Sequence, residues 1–490
     1  MDPAFAKSQN NIWVVNHIYN QLVDLNDSMQ IVPELARKWE ILENGKLYRF
    51  YLRNDVYFHT DNCFGSLKTR KLKSEDVKFS FERLIDKSLN APGSWIFENR
   101  IDSLNSFQCI GDSIIEIRLK NPFAPFLHIL TNAYCSVYPP EAVKVYQTEF
   151  SKHPIGTGHF KLSKWLGRKG IFLSKFDSCF QSQQYLNGIR ISFMEDRNTA
   201  YLEFLTGGID FFSGLASGFA HEIFQSNGEL FPDYKNKFNF LKGDYLNTEY
   251  IGINFTSLSK NHPLRQRVFR QALNYAVDRT KMLQKLRFNM GTPATSGFIP
   301  KGLPAFDPAL NLGYSYDPIK ARELLKSIHY DPSNPLHRLE LSTNKDYVDL
   351  ITFVAKQWEE VGISVSIDLV ETATLREKMK NGAVSLFRAS WIADYPDEES
   401  FLTVFYGPNP SPPNYTRFDN SEYNQLYEMA IKELDPKKRI VLYQQLDKLL
   451  IHECPVVFLF YDQTAWFVQK NIKGLKPNPL NALNLAGVEE

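Results

Sequence analysis

Residues 387–402 read FRASWIADYPDEESFL. A strand-compatible run from Val384 to Trp391 leads into Asp394, and helix- or loop-compatible polar residues follow. One carboxylate therefore stands where an extended backbone ends, with a large aromatic ring beside it and Arg388 a few residues back. That arrangement suits the holding of a cationic group against a flat apolar neighbour. The same residues also read as scaffold, with Arg388 as the salt-bridge partner of Asp394 and Trp391 as a core residue. Asp397, Glu398 and Glu399 form an acidic cluster just after. Paired carboxylates do acid–base work in some enzymes. Here they are expected as a solvated loop and the start of a helix, where acids are stabilising.

Other chemistry is not spelled in the chain. The ten histidines form neither HExxH nor HxH, and His452-x-Cys454 is a weak pair at a helix end. There is no GxSxG elbow and no P-loop. The GTG of HPIGTGHFKLSKW (153–165) lacks a third glycine and opens no helix, so it is not a dinucleotide fingerprint. Cys63, Cys109, Cys135, Cys179 and Cys454 are widely spaced, with no CxxC pair. They read as buried free thiols, with one disulfide at most. No metal and no cofactor is expected. A formal charge of +1 on 490 residues argues against nonspecific binding of nucleic acid or membrane surfaces. Phe and Tyr are plentiful, as suits either large cores or a cleft for organic ligands. No apolar run reaches the roughly 20 residues of a membrane helix. The start, MDPAFAKSQNN, has neither the basic residues nor the apolar core of an export signal.

The elements that must position these residues alternate between helix and strand. A helix is expected around Ile12–Leu25. WEILENGKLYRFYLR (39–53) reads as a hairpin turning at Asn44-Gly45. Ser74–Leu84 reads as a helix capped by Ser74, Ile114–Leu119 as a strand, and Pro139-Pro140 as the start of a short helix. Tyr250–Asn254 is a short apolar strand, after which Pro263 opens a long helix with one apolar stripe through Val268, Ala272 and Ala276. Asp317-Pro318 opens another. Leu339 and Leu341, a helix through Leu350, Val354, Trp358 and Val361 stopped by Gly362, and a strand alternating from Ile363 to Leu369 form one strand–helix–strand unit. Such a unit makes a right-handed parallel crossover. Two more helices, near Glu422–Lys432 and from Asp435-Pro436 to Glu453, precede a strand at Val456–Tyr461. The order is mixed α/β, without repeats or a low-complexity linker.

Taken in order, several blocks carry a likeness: IVPELARKWE (31–40), LRNDVYFH with LKSEDVKFSFERL, HPIGTGHFKLSKW, NHPLRQRVFRQALNYAVDRTKML, SYDPIKARELL, WEEVGISVSI and PVVFLFYDQTAWFVQKNIKGLKPNPL. Together with FRASWIADYPDEESFL they resemble the oligopeptide- and dipeptide-binding proteins of bacterial ABC importers, the extracellular solute-binding protein family 5. The resemblance implies an α/β, two-lobe periplasmic-binding-protein fold, of the class with an extra subdomain. The ligand cleft would lie between lobes joined by a two-strand hinge, with crossings near Tyr250–Asn254 and Tyr461–Phe467. It implies lobe I from residues 1–32, 155–250 and 466–490, an additional subdomain at 33–154, and lobe II at 251–465.

The resemblance also implies the roles of residues. Asp394 would pair with the α-ammonium of a short peptide. The strand around Ser390 and Ile392 would hydrogen-bond the peptide backbone, Trp391 would wall a side-chain pocket, and Arg388 would brace the acidic site. Tyr250 and, from the stretch near Asn11, Trp13 and Val14 complete the candidate set. Many relatives have glycine where Ser390 stands; the backbone bond survives, while the extra side chain narrows the pocket. The implied protein is no enzyme but a monomeric receptor, periplasmic or a cell-surface lipoprotein. Its partners would be short peptides and the permease and ATPase subunits of an importer, with no nucleic acid. Its signal segment would precede Asp2-Pro3, so that Met1 marks a trimmed start. Alternatives are another amine-bearing ligand such as glutathione or a cell-wall peptide, a peptide-binding chaperone or sensor, and a hydrolase using Asp394 and Glu398.

Overall fold

The computed structural model describes residues 1–102, 106–181, 184–214, 217–310, 313–334 and 337–490. The chain divides into two compact units: Met1–Gly214 with Lys237–Leu241 and Trp466–Glu490, and Leu215–Asn236 with Lys242–Ala465.

In the first unit a helix spans Gln9–Ile18, capped by the Ser8 hydroxyl. It stops well short of the expected Leu25, because Val23–Leu25 turns extended and pairs with Ile31–Pro33. The Asn44-Gly45 hairpin is present: Ala36–Leu42 runs antiparallel to Leu47–Leu52, with Asn44 in the left-handed region that this turn requires. Ile114–Arg118 and Phe107–Ile110 extend the sheet. The Ser74–Ile85 helix is capped differently from expectation. The Asp76 carboxylate accepts the Lys73 N–H at 2.8 Å, while the buried Ser74 hydroxyl donates to the Gly111 carbonyl at 2.6 Å. The HFKLSKW strand is Phe160–Trp165, first of a three-stranded antiparallel sheet.

The second unit is built on a mixed sheet whose strands we number β1 (Phe238–Ile253), β2 (Thr292–Pro293), β3 (Leu339–Thr343), β4 (Val365–Leu369), β5 (Leu386–Ile392) and β6 (Val456–Gln469). β1 and β6 each have residues in both units. The spatial order is β6-β1-β5-β3-β4, with β2 paired to β6. β3 and β4 are parallel, and the Val348–Glu360 helix crosses between them as the sequence pattern requires. Gly362 follows it at φ +92°. Trp358, fully buried from that helix, donates its indole N–H to the Leu273 carbonyl at 3.0 Å.

The long helix expected from Pro263 is broken. A 3-10 turn at Pro263–Arg265 precedes Arg267–Tyr275, and a separate helix spans Arg279–Leu286. The break has a physical cause. The buried Arg279 guanidinium donates to the carbonyls of Asn274 and Val277, each at 3.1 Å, which a continuous helix would keep for its own ladder. The expected strand Val456–Tyr461 runs on to Gln469, because Trp466, Phe467 and Val468 are also buried and paired. All five cysteines are free.

Candidate functional site

β5 lies antiparallel to β1 over its whole length, from Asn247 opposite Ile392 to Ile253 opposite Leu386. On its other side β3 reaches only Leu386 and Phe387. From Arg388 onward that edge of β5 has no strand partner among the described residues. The backbone polarity of this edge follows from one bond. Ala393 N–H donates to the Leu246 carbonyl at 2.9 Å, so the odd-numbered residues of β5 face β1. In an antiparallel ladder the alternate residues point their N–H and C=O the other way. Arg388, Ser390 and Ile392 therefore present their backbone groups to the open edge.

The side chains sort by face. Opposite residues in the register share a face, which puts Asn247, Glu249, Ile251 and Ile253 with Ile392, Ser390, Arg388 and Leu386. Trp391 and Ala389 lie on the other face, with Thr248 and Tyr250. There Tyr250 packs edge-on against Phe298, 5.2 Å between centroids, and the Thr248 hydroxyl donates to the Phe298 carbonyl. The Trp391 ring is half-buried, and its indole N–H is buried without a hydrogen-bond partner.

On the first face the apolar run Ile251, Ile253 and Leu386 gives way to charge. Arg388 forms a buried ion pair with Glu249, and its guanidinium stacks 3.0 Å from the centroid of the Tyr347 ring. The sequence offered Arg388 as a partner for Asp394; its ion pair is with Glu249, 139 residues earlier in the chain. Burial, reinforced by the nearby Asp462 charge and opposed by Arg388, pushes the Glu249 carboxyl above the usual range. Asn247 Nδ2 donates to Glu249 at 3.3 Å and to Asp462 of β6 at 3.4 Å, and Asp462 accepts Arg287 Nη2 at 2.8 Å. Glu249, Asn247, Arg287, Asp462 and Tyr347 were not singled out from the sequence. The signal was present in LNTEYIGIN, where a glutamate within an apolar strand demands a cation nearby.

Asp394 follows β5. Its backbone N–H donates to the Ser400 hydroxyl at 3.1 Å. Its side chain reaches solvent while protein crowds the remaining sides. Desolvation first, and the Glu399 charge second, push its carboxyl up to about 6. The three acids that follow are buried, contrary to the solvated loop expected. Asp397 accepts from the Tyr443 hydroxyl at 2.9 Å and the Glu399 N–H at 2.9 Å. Glu399 is held by the hydroxyls of Tyr395 and Tyr427. Glu398 accepts the Ala305 N–H at 2.6 Å, and burial with the Asp397 charge raises it to about 7. Tyr427 and Tyr443 from distant helices, Tyr395 close by and the Ala305 N–H supply the hydrogen bonds that make this burial tolerable.

Of the eight candidate residues, Arg388, Ser390, Trp391, Ile392, Asp394 and Tyr250 lie together in the second unit on β5, its end and β1. Trp13 and Val14 belong to the first unit, on the Gln9–Ile18 helix. There the Trp13 indole donates to the Asn481 carbonyl at 2.7 Å, and Val14 is buried. Among the described residues no group of three or more His, Cys, Asp or Glu is arranged to hold a metal, and no helix is long and apolar enough to cross a membrane.

The family model for bacterial extracellular solute-binding proteins, family 5 Middle, matches residues 30–413. The chain is 27% identical to heme-binding protein A of Haemophilus influenzae, over 94% of this chain and 85% of that protein. It is 26% identical to the peptide transport periplasmic protein SapA of Salmonella typhimurium, over 96% and 86%. It is 24% identical to the dipeptide-binding protein of Escherichia coli, over 94% and 87%. Among solved structures, HbpA2 from Haemophilus parasuis superposes with a TM-score of 0.86 at 23% identity, covering 100% of this chain and 97% of that one. The periplasmic binding protein DppA from Helicobacter pylori, in complex with the peptide STSA, superposes with a TM-score of 0.79 at 23% identity, covering 99% and 95%.

Proposed function

This chain belongs to family 5 of the bacterial extracellular solute-binding proteins and has their fold, and we propose that it is the peptide-capturing component of an ABC importer. The observation that carries the reading is the open edge of β5 ending at Asp394. A short peptide in extended form adds to that edge as a further strand, bonding the backbone groups of Arg388, Ser390 and Ile392. Such bonds read the ligand's main chain and tolerate variation in its side chains. Asp394, beyond the last strand residue, takes the α-ammonium in charge-assisted hydrogen bonds. Trp391 walls a side-chain pocket on one face of the added strand. Arg388, spent on Glu249, braces the other face. The names of SapA and of the dipeptide-binding protein, and the peptide held by the Helicobacter pylori protein, support this reading.

The site as proposed binds and does not cut. No metal-ligating group stands beside Asp394 and Glu398 among the described residues, and Glu398 is buried on the Ala305 N–H. The protein acts outside the cytoplasm, periplasmic or anchored at the cell surface, as a monomer that hands its cargo to membrane subunits. Glutathione and wall peptides carry the same free amine and would use the same clamp. Denaturing the purified protein and identifying the released molecule by mass spectrometry tests the reading. Short, intact molecules with a free α-amine are expected. Release of a ligand without an amine, such as haem or a metal chelate, would overturn it.

A further inference from the structure

In the first unit, the three-stranded sheet of Phe160–Trp165, Gly170–Lys175 and Gly188–Ser192 carries an outer face of one sign. From His159 to Ser192 the sequence holds six cations and a single acid, Asp177, so the near-neutral total of the whole chain conceals a local excess. The register sorts these charges. Lys164 lies opposite Phe172, and Phe172 opposite Arg190, so the three share one face, with the Arg190 guanidinium 6.0 Å from the centre of the Phe172 ring. Lys161, opposite Ser174, is on the same face and donates to the Thr60 hydroxyl at 3.2 Å. Ile171 and Leu173 point the other way and are buried. Lys175 is on that inner side as well, spent on the Gln184 carbonyl. Arg168 and Lys169 are exposed in the turn between the first two strands, where Gly167 stands at φ +59°. No acid pairs with Lys161, Lys164, Arg168, Lys169 or Arg190 among the described residues.

The same turn gathers apolar groups. The Trp165 ring, 39% exposed, is held against it by its indole N–H, which donates to the Gly167 carbonyl at 3.1 Å. The Phe193 N–H donates to the Lys169 carbonyl at 3.1 Å, which brings the exposed Phe193 and Met194 to the same end. Of the two acids that follow, Asp196 caps the Arg197–Leu205 helix, and Arg197 balances Glu195 in charge. Cations and apolar groups at one tip fit a partner with an anionic surface and an apolar layer beneath it. Lipid headgroup phosphates take the cations, and the interfacial layer takes Trp, Phe and Met side chains. A soluble polyanion would use the cations alone and leave the apolar groups in water. We infer that this end of the sheet is a docking surface for an anionic lipid bilayer. The inference stands apart from the peptide-receptor reading, since the surface needs no ligand. Each cation held near an anionic membrane is worth about fivefold in affinity. The attraction falls off within a Debye length, so acids elsewhere on the chain do not cancel it.

The test is flotation of the purified chain with vesicles of phosphatidylcholine, with and without phosphatidylglycerol, at low and at high salt. Binding is expected only to vesicles that contain phosphatidylglycerol, and it should weaken as salt rises. Arg168→Glu with Lys169→Glu should weaken it by about tenfold or more. The same charge change at exposed positions of the second unit, Lys437→Glu with Lys438→Glu, should leave it within about twofold. Phe193→Ser with Met194→Ser, which alters no charge, should weaken it by about fivefold or more. Absence of binding to the phosphatidylglycerol vesicles, equal binding to both kinds, or equal losses from the two charge changes would overturn the inference. So would tight binding to poly-glutamate with vesicle binding untouched by the Phe193 and Met194 changes, which would assign the face to a soluble polyanion. The unaltered chain with the two kinds of vesicle decides the matter even if a variant does not fold.

Discussion

Removing the acid from the buried pair that links β1 to β5 should cost more stability than any surface change. Glu249→Met leaves Arg388 with its partner gone and its Nε already unsatisfied, on side chains whose exposure is 2% for Glu249 and 9% for Arg388. Tyr347 remains against the guanidinium, but a ring face does not replace a carboxylate. A buried charge stripped of its partner costs about 3–5 kcal/mol. The pair belongs to a unit of about 250 residues, for which each kcal/mol moves the melting midpoint by about 2–4 °C. The expected loss is therefore about 6–20 °C, read by differential scanning calorimetry at pH 7. The control is the double variant Glu249→Met with Arg388→Met. It replaces both charges with apolar groups of similar volume and should recover most of the loss, because the penalty belongs to the stranded cation and not to the missing bond. A single variant within about 1 kcal/mol of the parent, or a double variant as unstable as the single, would refute the reasoning.

Two further outcomes follow from the raised carboxyls. Asp394 sits at about 6 without ligand and must be ionised to hold an ammonium, so affinity for a free-amine peptide should fall about tenfold between pH 7 and pH 5. Titration calorimetry across that range reads the effect, and Asp394→Asn should bind weakly with no such slope. Glu398, raised to about 7 and buried, holds its proton more tightly in the folded chain than in the unfolded one. Its contribution therefore makes stability fall as pH rises from about 4.5 to 7. Glu398→Gln keeps the acceptor for the Ala305 N–H and removes the charge. Thermal melts should show it stabilised by roughly 1–3 kcal/mol at pH 8 and unchanged near pH 4.

Local patterns carried much of the fold. Alternation at Leu339–Leu341 and Ile363–Leu369 around an amphipathic helix was enough to read the parallel crossover, and Asn44-Gly45 was enough for the hairpin. The errors came where distant residues decide. Arg279 ends the Pro263 helix by taking carbonyls that periodicity assigns to the ladder. Asp397, Glu398 and Glu399 look solvated until Tyr427, Tyr443 and Ala305 arrive from elsewhere. In the candidate site, the strand and its terminal aspartate were legible because both are local. The partner of Arg388 was not, since β1 brings Glu249 alongside only when the sheet forms. The open edge was equally invisible, because it depends on where β3 stops pairing.

The central claim is that Asp394 clamps a peptide amine beside an added strand. Titration calorimetry at pH 7 of one tripeptide with a free amine against the same tripeptide N-acetylated tests it most directly. Acetylation removes the charge and its charge-assisted hydrogen bonds, and the loss expected is on the order of 10- to 100-fold in affinity. Equal affinities for the two would contradict the account.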